Sequence, residues 1–217
     1  MSRTPVIESL VNDVPVIPVI VVERIEHAVP MAEALVAGGL AILEVTLRTP
    51  VALSAIEAIA AHVAGARVGV GSVIDPRQFA DARNAGATFA VSPGATPQLD
   101  EAARAAGIEW LPGAQTASEV LAARALGHRF VKFFPAEAAG GVAWLKSVAG
   151  PIADVRFCPT GGITAANARD YLALPNVACV GGSWVIPAAA VRAGRWDEVE
   201  ALARQARGLR GAGSAAG

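Results

Sequence analysis

Along this chain apolar residues gather in short continuous runs, and each run is followed by a longer segment in which they recur every three or four positions. The first pattern fits a strand buried on both faces, the second an amphipathic helix packed against it. Strands are predicted over 14–22, 41–46, 67–70, 88–91, 109–111, 130–134, 154–158 and 177–180. Helices are predicted over 26–36, 50–63, 76–85, from 97 onward, and over 116–125, 141–148, 164–172, 187–191 and 196–209. Local signals punctuate the same plan. Gly38-Gly39 ends the first of these helices, Asp75-Pro76 and Thr96-Pro97 open two others, and Thr116 with Glu119 three positions on makes a capping box. Pro15 and Pro18 remove two N–H donors from the first run, which weakens it as a strand. Ahead of it, residues 5–12 read as a short amphipathic helix lying across one end of the fold.

Eight strand–helix units with short connections predict a closed (β/α)8 barrel of the TIM class, preceded by that short N-terminal helix. An open doubly wound sheet is the rival architecture; it usually has fewer strands and one crevice where the strand order reverses. The 217 residues suit one domain, taken as 1–210, with the Gly/Ala/Ser tail 211–217 expected to be disordered.

Composition narrows the possible partners. With 53% hydrophobic residues and a mean hydropathy of +0.46, the chain has ample material for a core. A net charge of -1, from 18 basic and 19 acidic residues in no long blocks, gives no footprint for nucleic acid or an anionic membrane. The richest apolar run, 14–22, is about half of what a membrane helix requires, and the first residues lack a secretory signature. Cys158 and Cys179 form no CxxC motif and read as buried free thiols of a reducing interior. A cytoplasmic location is the expectation.

Candidate chemistry starts at Lys132, a lone amine among Phe130, Val131, Phe133 and Phe134. A charged amine there costs several kcal/mol unless it is paired. It either snorkels to the surface from a strand end or serves, desolvated and partly neutral, as a nucleophile. In a (β/α)8 barrel the chemistry belongs to the C-terminal strand ends. Those ends carry Glu44 and Arg48, Ser72, Ser92-Pro93-Gly94, Pro112-Gly113, Lys132, Pro159-Thr160-Gly161-Gly162 and Gly181-Gly182-Ser183-Trp184. Period-two alternation puts Glu44 on one face with Ile42 and Thr46, and Lys132 on one face with Phe130 and Phe134. If both faces point inward, carboxylate and amine meet near the mouth, as a buried salt bridge or as a catalytic pair. Paired glycines at 161–162 and 181–182 fit a phosphate held by backbone N–H groups, although Gly-Gly is also a plain tight turn. Arg48 offers a forked donor for a second anion such as a carboxylate, or it is a solvated helix residue. Thr160, Pro93 and Phe134 complete the expected pocket. His27, His62 and His128 are scattered and no HExxH occurs, so neither a catalytic metal nor a cofactor is expected.

Two segments, Gly39-Leu-Ala-Ile-Leu-Glu-Val-Thr-Leu-Arg48 and Gly127-His-Arg-Phe-Val-Lys-Phe-Phe-Pro-Ala-Glu-Ala-Ala-Gly140, carry a close resemblance to a known family. With 92–94, 155–162 and 181–184 in support, the chain resembles the 2-keto-3-deoxy-6-phosphogluconate (KDPG) and 4-hydroxy-2-oxoglutarate (KHG) aldolases, which are class I Schiff-base aldolases. The resemblance implies a homotrimer of (β/α)8 barrels acting on a phosphorylated 2-keto acid, with no cofactor. It implies Lys132 as the imine-forming amine and Glu44 as the proton shuttle. It also implies Arg48 and Ser72 near the substrate carboxylate, and Gly161, Gly162, Gly182 and Ser183 around the phosphate. Where this chain has Ser72, family members commonly have Thr; the hydroxyl is kept and a methyl is lost.

Overall fold

The structure, a computed structural model, describes Val11 and residues 14–210. The predicted N-terminal helix therefore lies outside the described residues except for Val11, and the tail 211–217 lies outside them altogether.

Strands β1 (Val16–Ile20), β2 (Ile42–Thr46), β3 (Arg67–Gly71), β4 (Phe89–Val91) and β5 (Glu109–Leu111) join β9 (Val180–Gly182) in one parallel sheet of order β5-β4-β3-β2-β1-β9. The rest of the wall is β6 (Gly113–Ala114), β7 (Phe130–Phe133) and β8 (Arg156–Pro159), ordered β6-β7-β8. Pro112 separates β5 from β6, so these two pieces act as one barrel strand with a gap where no N–H is available. The Pro112 carbonyl accepts from the Lys132 backbone N–H at 2.8 Å. Parallel bridges Phe157↔Val177 and Thr160↔Gly181 close the remaining seam, between β8 and β9. The result is the (β/α)8 barrel that the sequence predicts.

Helices α1 (Ala28–Ala37), α2 (Ala52–His62), α3 (Arg77–Asn84), α4 (Pro97–Ala106), α5 (Ala117–Ala125), α6 (Gly141–Val148), α7 (Ala168–Leu172), α8 (Ala188–Arg192) and α9 (Trp196–Arg207) follow the strands and cover the wall. The two side-chain periodicities sort the core into two parts. Alternate strand residues such as Val16, Ile20, Leu43, Val45, Val68 and Val70 face the helices, and Ile17, Ile42, Phe89, Leu111, Phe130 and Cys158 fill the barrel axis together with Val11. Both cysteines are buried and free. No helix among the described residues is long and apolar enough to cross a membrane.

Several boundaries moved. Pro18 does not remove β1 from the sheet: residues 16–18 pair with β9, and the register with β2 begins at Val19, just past the proline. β8 starts two residues later than predicted, because Asp154 turns outward to pair with Arg124 and Arg129. The expected strand 177–180 becomes β9 at Val180–Gly182, and Val177 keeps only an isolated bridge. In 164–172 only α7 is helical; Thr164 and Asn167 bond reciprocally in a turn before it. Asp75 accepts from the Arg77 N–H at 2.9 Å one position outside the helix, and Pro76 is the residue at its boundary.

Candidate active site

The β2 and β7 strands are not neighbours in either sheet, so side chains that touch across the axis must both point inward. Lys132 and Glu44 do so. Lys132 Nζ donates to Glu44 Oε1 at 3.1 Å, with the two side chains only 6% and 3% exposed. Each charge alone would be stranded in a poorly solvated interior; the partner offsets that cost, and removing either leaves the other uncompensated. Beneath them lies the apolar fill of Ile42, Phe89, Leu111 and Phe130. Beside them, β3 leaves room for the carboxylate. A Cβ placed on Gly71 would stand 2.3 Å from Glu44 Oε1, so any side chain there would displace the carboxylate. The Lys132 amine also lies 5.4 Å from the Phe134 ring centroid, within cation–π range.

The rim is built by the turns that follow the strands. Leu47 N–H donates to the Gly71 carbonyl, extending the β2–β3 pairing to where Arg48 Nε donates to Ser72 Oγ at 3.2 Å. Ser72 has φ +61°, in the left-handed region that a non-glycine residue seldom occupies. Next along the rim, Ser92 Oγ donates to the Gly94 carbonyl and accepts from Trp110 Nε1, which fixes the turn that carries Pro93. The Pro93 backbone presses on Gly113, the residue in register with Lys132. Phe134, half-buried and followed by a cis peptide to Pro135, lies between the amine and Gly161.

Thr160 is buried beside Gly181, and the bridge between them brings the two glycine-bearing turns together. Gly161 and Gly162 have φ +99° and +79°. Gly182 is buried under the Trp184 ring, and Ser183 is exposed on the edge of a cavity of about 530 Å³ that runs between the ends of β1 and β9. Among the described residues, the N–H groups of Gly161, Gly162 and Ser183 have no backbone acceptor, so they remain available to an anion.

Some residues at this mouth carry no sequence signal strong enough to single them out. Thr46 Oγ1 donates to the Ile20 carbonyl and ties β2 to β1 just above Glu44. Asn167 Nδ2 donates to the Gly162 carbonyl at 3.1 Å while its Oδ1 takes the Thr164 N–H. The Thr164-x-x-Asn167 spacing is a turn signal that could have revealed the second of these bonds. The Glu137 stem lies over Gly162, and its carboxylate meets the Tyr171 hydroxyl beside Gly141 through a hydrogen bond that joins residues far apart in the chain.

Fold and mouth together define a barrel enzyme with a buried amine–carboxylate pair. A sequence profile of the family described as KDPG and KHG aldolase matches residues 7–202. The KHG/KDPG aldolase of Escherichia coli (strain K12) is 55% identical over 199 residues, covering 92% of this chain and 93% of that protein. Among solved structures, the KDPG aldolase of Zymomonas mobilis ZM4 with 3-phosphoglycerate superposes with a TM-score of 0.89 at 47% identity, covering 97% of this chain and 98% of that one. The KDPG aldolase of Legionella pneumophila, with pyruvate captured as a covalent carbinolamine intermediate, gives a TM-score of 0.88 at 47% identity over 91% and 96%. The chain belongs to the KDPG/KHG aldolase family.

Proposed function

We propose that this protein cleaves 2-keto-3-deoxy-6-phosphogluconate to pyruvate and D-glyceraldehyde 3-phosphate through a Schiff base on Lys132, and that it also cleaves 4-hydroxy-2-oxoglutarate to pyruvate and glyoxylate. The observation that carries this reading is the contact of Lys132 Nζ with Glu44 Oε1 at 3.1 Å, sealed in the barrel mouth.

Glu44 takes a proton from Lys132, and the free amine attacks the C2 ketone to give a carbinolamine. Glu44 returns that proton to the departing hydroxyl; water leaves and an iminium forms. Now anionic again, Glu44 removes the C4 hydroxyl proton. As the C4 oxygen becomes an aldehyde, the C3–C4 bond breaks and its electron pair moves onto the iminium nitrogen, leaving an enamine. Protonation of the enamine at C3 and hydrolysis of the resulting iminium release pyruvate and restore the lysine. Arg48 and Ser72 hold the substrate carboxylate, and the N–H groups of the 161–162 and 182–183 turns hold the phosphate. Thr160, Pro93 and Phe134 wall the space between these anchors. Holding both ends of the substrate keeps C2 against the amine and aligns the scissile bond. The protein works as a homotrimer in the cytoplasm.

Borohydride added with pyruvate tests this directly. One reduced pyruvyl adduct on Lys132 is expected by peptide mass analysis, and Lys132→Ala should neither trap pyruvate nor cleave the phosphorylated substrate. An adduct on another residue, or cleavage retained by Lys132→Ala, would sink the proposal.

A further inference from the structure

The turn after β7 carries an acidic residue that the catalytic steps do not use. Glu137 N–H donates to the Gly161 carbonyl at 3.1 Å, continuing the β7–β8 pairing into the glycine turn. Its side chain then lies across Gly162: a Cβ there would stand 2.5 Å from Glu137 Cγ and 2.7 Å from its Cβ. The head of the side chain turns away from the turn, toward α7, where Glu137 Oε1 accepts from the hydroxyl of the fully buried Tyr171. Burial and the neighbouring carboxylate push the Tyr171 hydroxyl well above the usual tyrosine range, so it stays a donor at any working pH. On the other side, Asn167 holds the Gly162 carbonyl.

We propose that Glu137, anchored by Tyr171, is a positioning residue that clamps the Gly161-Gly162 turn in the shape that accepts a phosphate, and so selects phosphorylated substrates. Gly162 at φ +79° has no side chain of its own to restrict it, and a glycine backbone left uncovered has many conformations to lose when a ligand binds. The Glu137 stem removes those alternatives before the ligand arrives, and the Tyr171 hydroxyl keeps the carboxylate turned away from the phosphate. This inference rests on the aldolase reading above.

Two readouts separate a clamp from a merely structural contact. Cleavage of 2-keto-3-deoxy-6-phosphogluconate depends on the phosphate turn, whereas borohydride trapping of pyruvate depends on Lys132 and involves no phosphate. Freeing the turn should cost its ordering on each binding event, so Glu137→Ala should raise KM for the phosphorylated substrate about five- to tenfold. Its kcat and its rate of pyruvate trapping should stay near the wild-type values. Tyr171→Phe keeps the ring in place and should shift KM in the same direction by less. Glu137→Gln keeps both the stem and an oxygen for the Tyr171 hydroxyl, and should restore wild-type KM. An unchanged KM in both Glu137→Ala and Tyr171→Phe would overturn the clamp, as would a loss spread equally over KM, kcat and trapping. If Glu137→Ala does not fold, Tyr171→Phe and Glu137→Gln decide by the same criteria. Wild-type protein that traps no pyruvate would overturn the aldolase reading itself, and that outcome is distinct from a wild type that traps normally beside unchanged variants.

Discussion

Glu44 is one of few polar residues among the buried ones, and it shares that interior with Lys132, which reaches it from the far side of the barrel. If Glu44 moves protons, Glu44→Gln should lower kcat about 10²–10⁴-fold while leaving KM near wild type, because the amide keeps the shape and loses the proton-accepting function. Gly71→Ala should lower kcat by a different route. The added Cβ would fall 2.3 Å from Glu44 Oε1 and push the carboxylate off the amine without altering either residue. Steady-state kinetics on both variants checks the pair; wild-type kcat in Glu44→Gln would leave Glu44 as no more than a structural counter-ion. The facing of Glu44 and Lys132 was legible in sequence because strand alternation is strict: Ile42 and Phe130, two positions before each, lie on the barrel axis. The Glu137–Tyr171 contact was not legible, since nothing in local spacing says which α7 residue will lie over a turn that follows another strand.

Among the helices, α4 is held by an unusual amount of polar contact. Its Thr96 caps the Leu99 N–H, and its Asp100 accepts from Arg104 Nε at 2.7 Å and contacts His128 Nε2 at 2.8 Å. Arg104 continues to the Leu126 carbonyl, so the cluster ties α4 to the end of α5 and the approach to β7. Burial alone would raise the Asp100 carboxyl, but hydrogen bonds from Arg104 and His128 outweigh it and hold it below the usual range. A carboxyl depressed in the folded state adds stability above its unfolded value of about 3.9, and that contribution is lost as pH falls through the lower folded value. Asp100→Asn should therefore cost about 1–3 kcal/mol at neutral pH, and the difference from wild type should shrink below about pH 4. Urea unfolding at neutral and acid pH measures it; an equal difference at both would count against the charge. At this scale the caps were the most readable signals. The Thr116–Glu119 box forms as predicted, because both its bonds are set by residues within one turn. The bounds of β8 and β9 were the least readable. Their runs are apolar on both faces, so periodicity says little about where pairing starts, and the outward pairing of Asp154 depends on Arg124, which lies thirty positions earlier.

For the molecule as a whole, strand count and the chemistry at the strand ends were enough to foresee a closed barrel, but the seam was not foreseeable. It depends on the isolated bridges at 157 and 160 and on a fifth strand interrupted at Pro112. The proposed trimer predicts a mass near three times the 22.0 kDa of one chain by light scattering. A single-chain mass at working concentration would exclude it.

The interior below Lys132 is packed solid, with Val11 from the start of the described chain wedged among Ile17, Ile42, Phe89 and Phe130. Among the described residues this apolar plug fills the axis beneath the Lys132–Glu44 pair, so a sugar acid would reach the amine from the mouth at the C-terminal strand ends. In the proposed reaction the aldehyde, bound without a covalent tether, leaves by that mouth first, while pyruvate stays on Lys132 until water reaches the iminium. In that reaction the covalent tether sets the order of release, aldehyde then pyruvate, and the stoppered far end sends both products and the hydrolytic water along the same route.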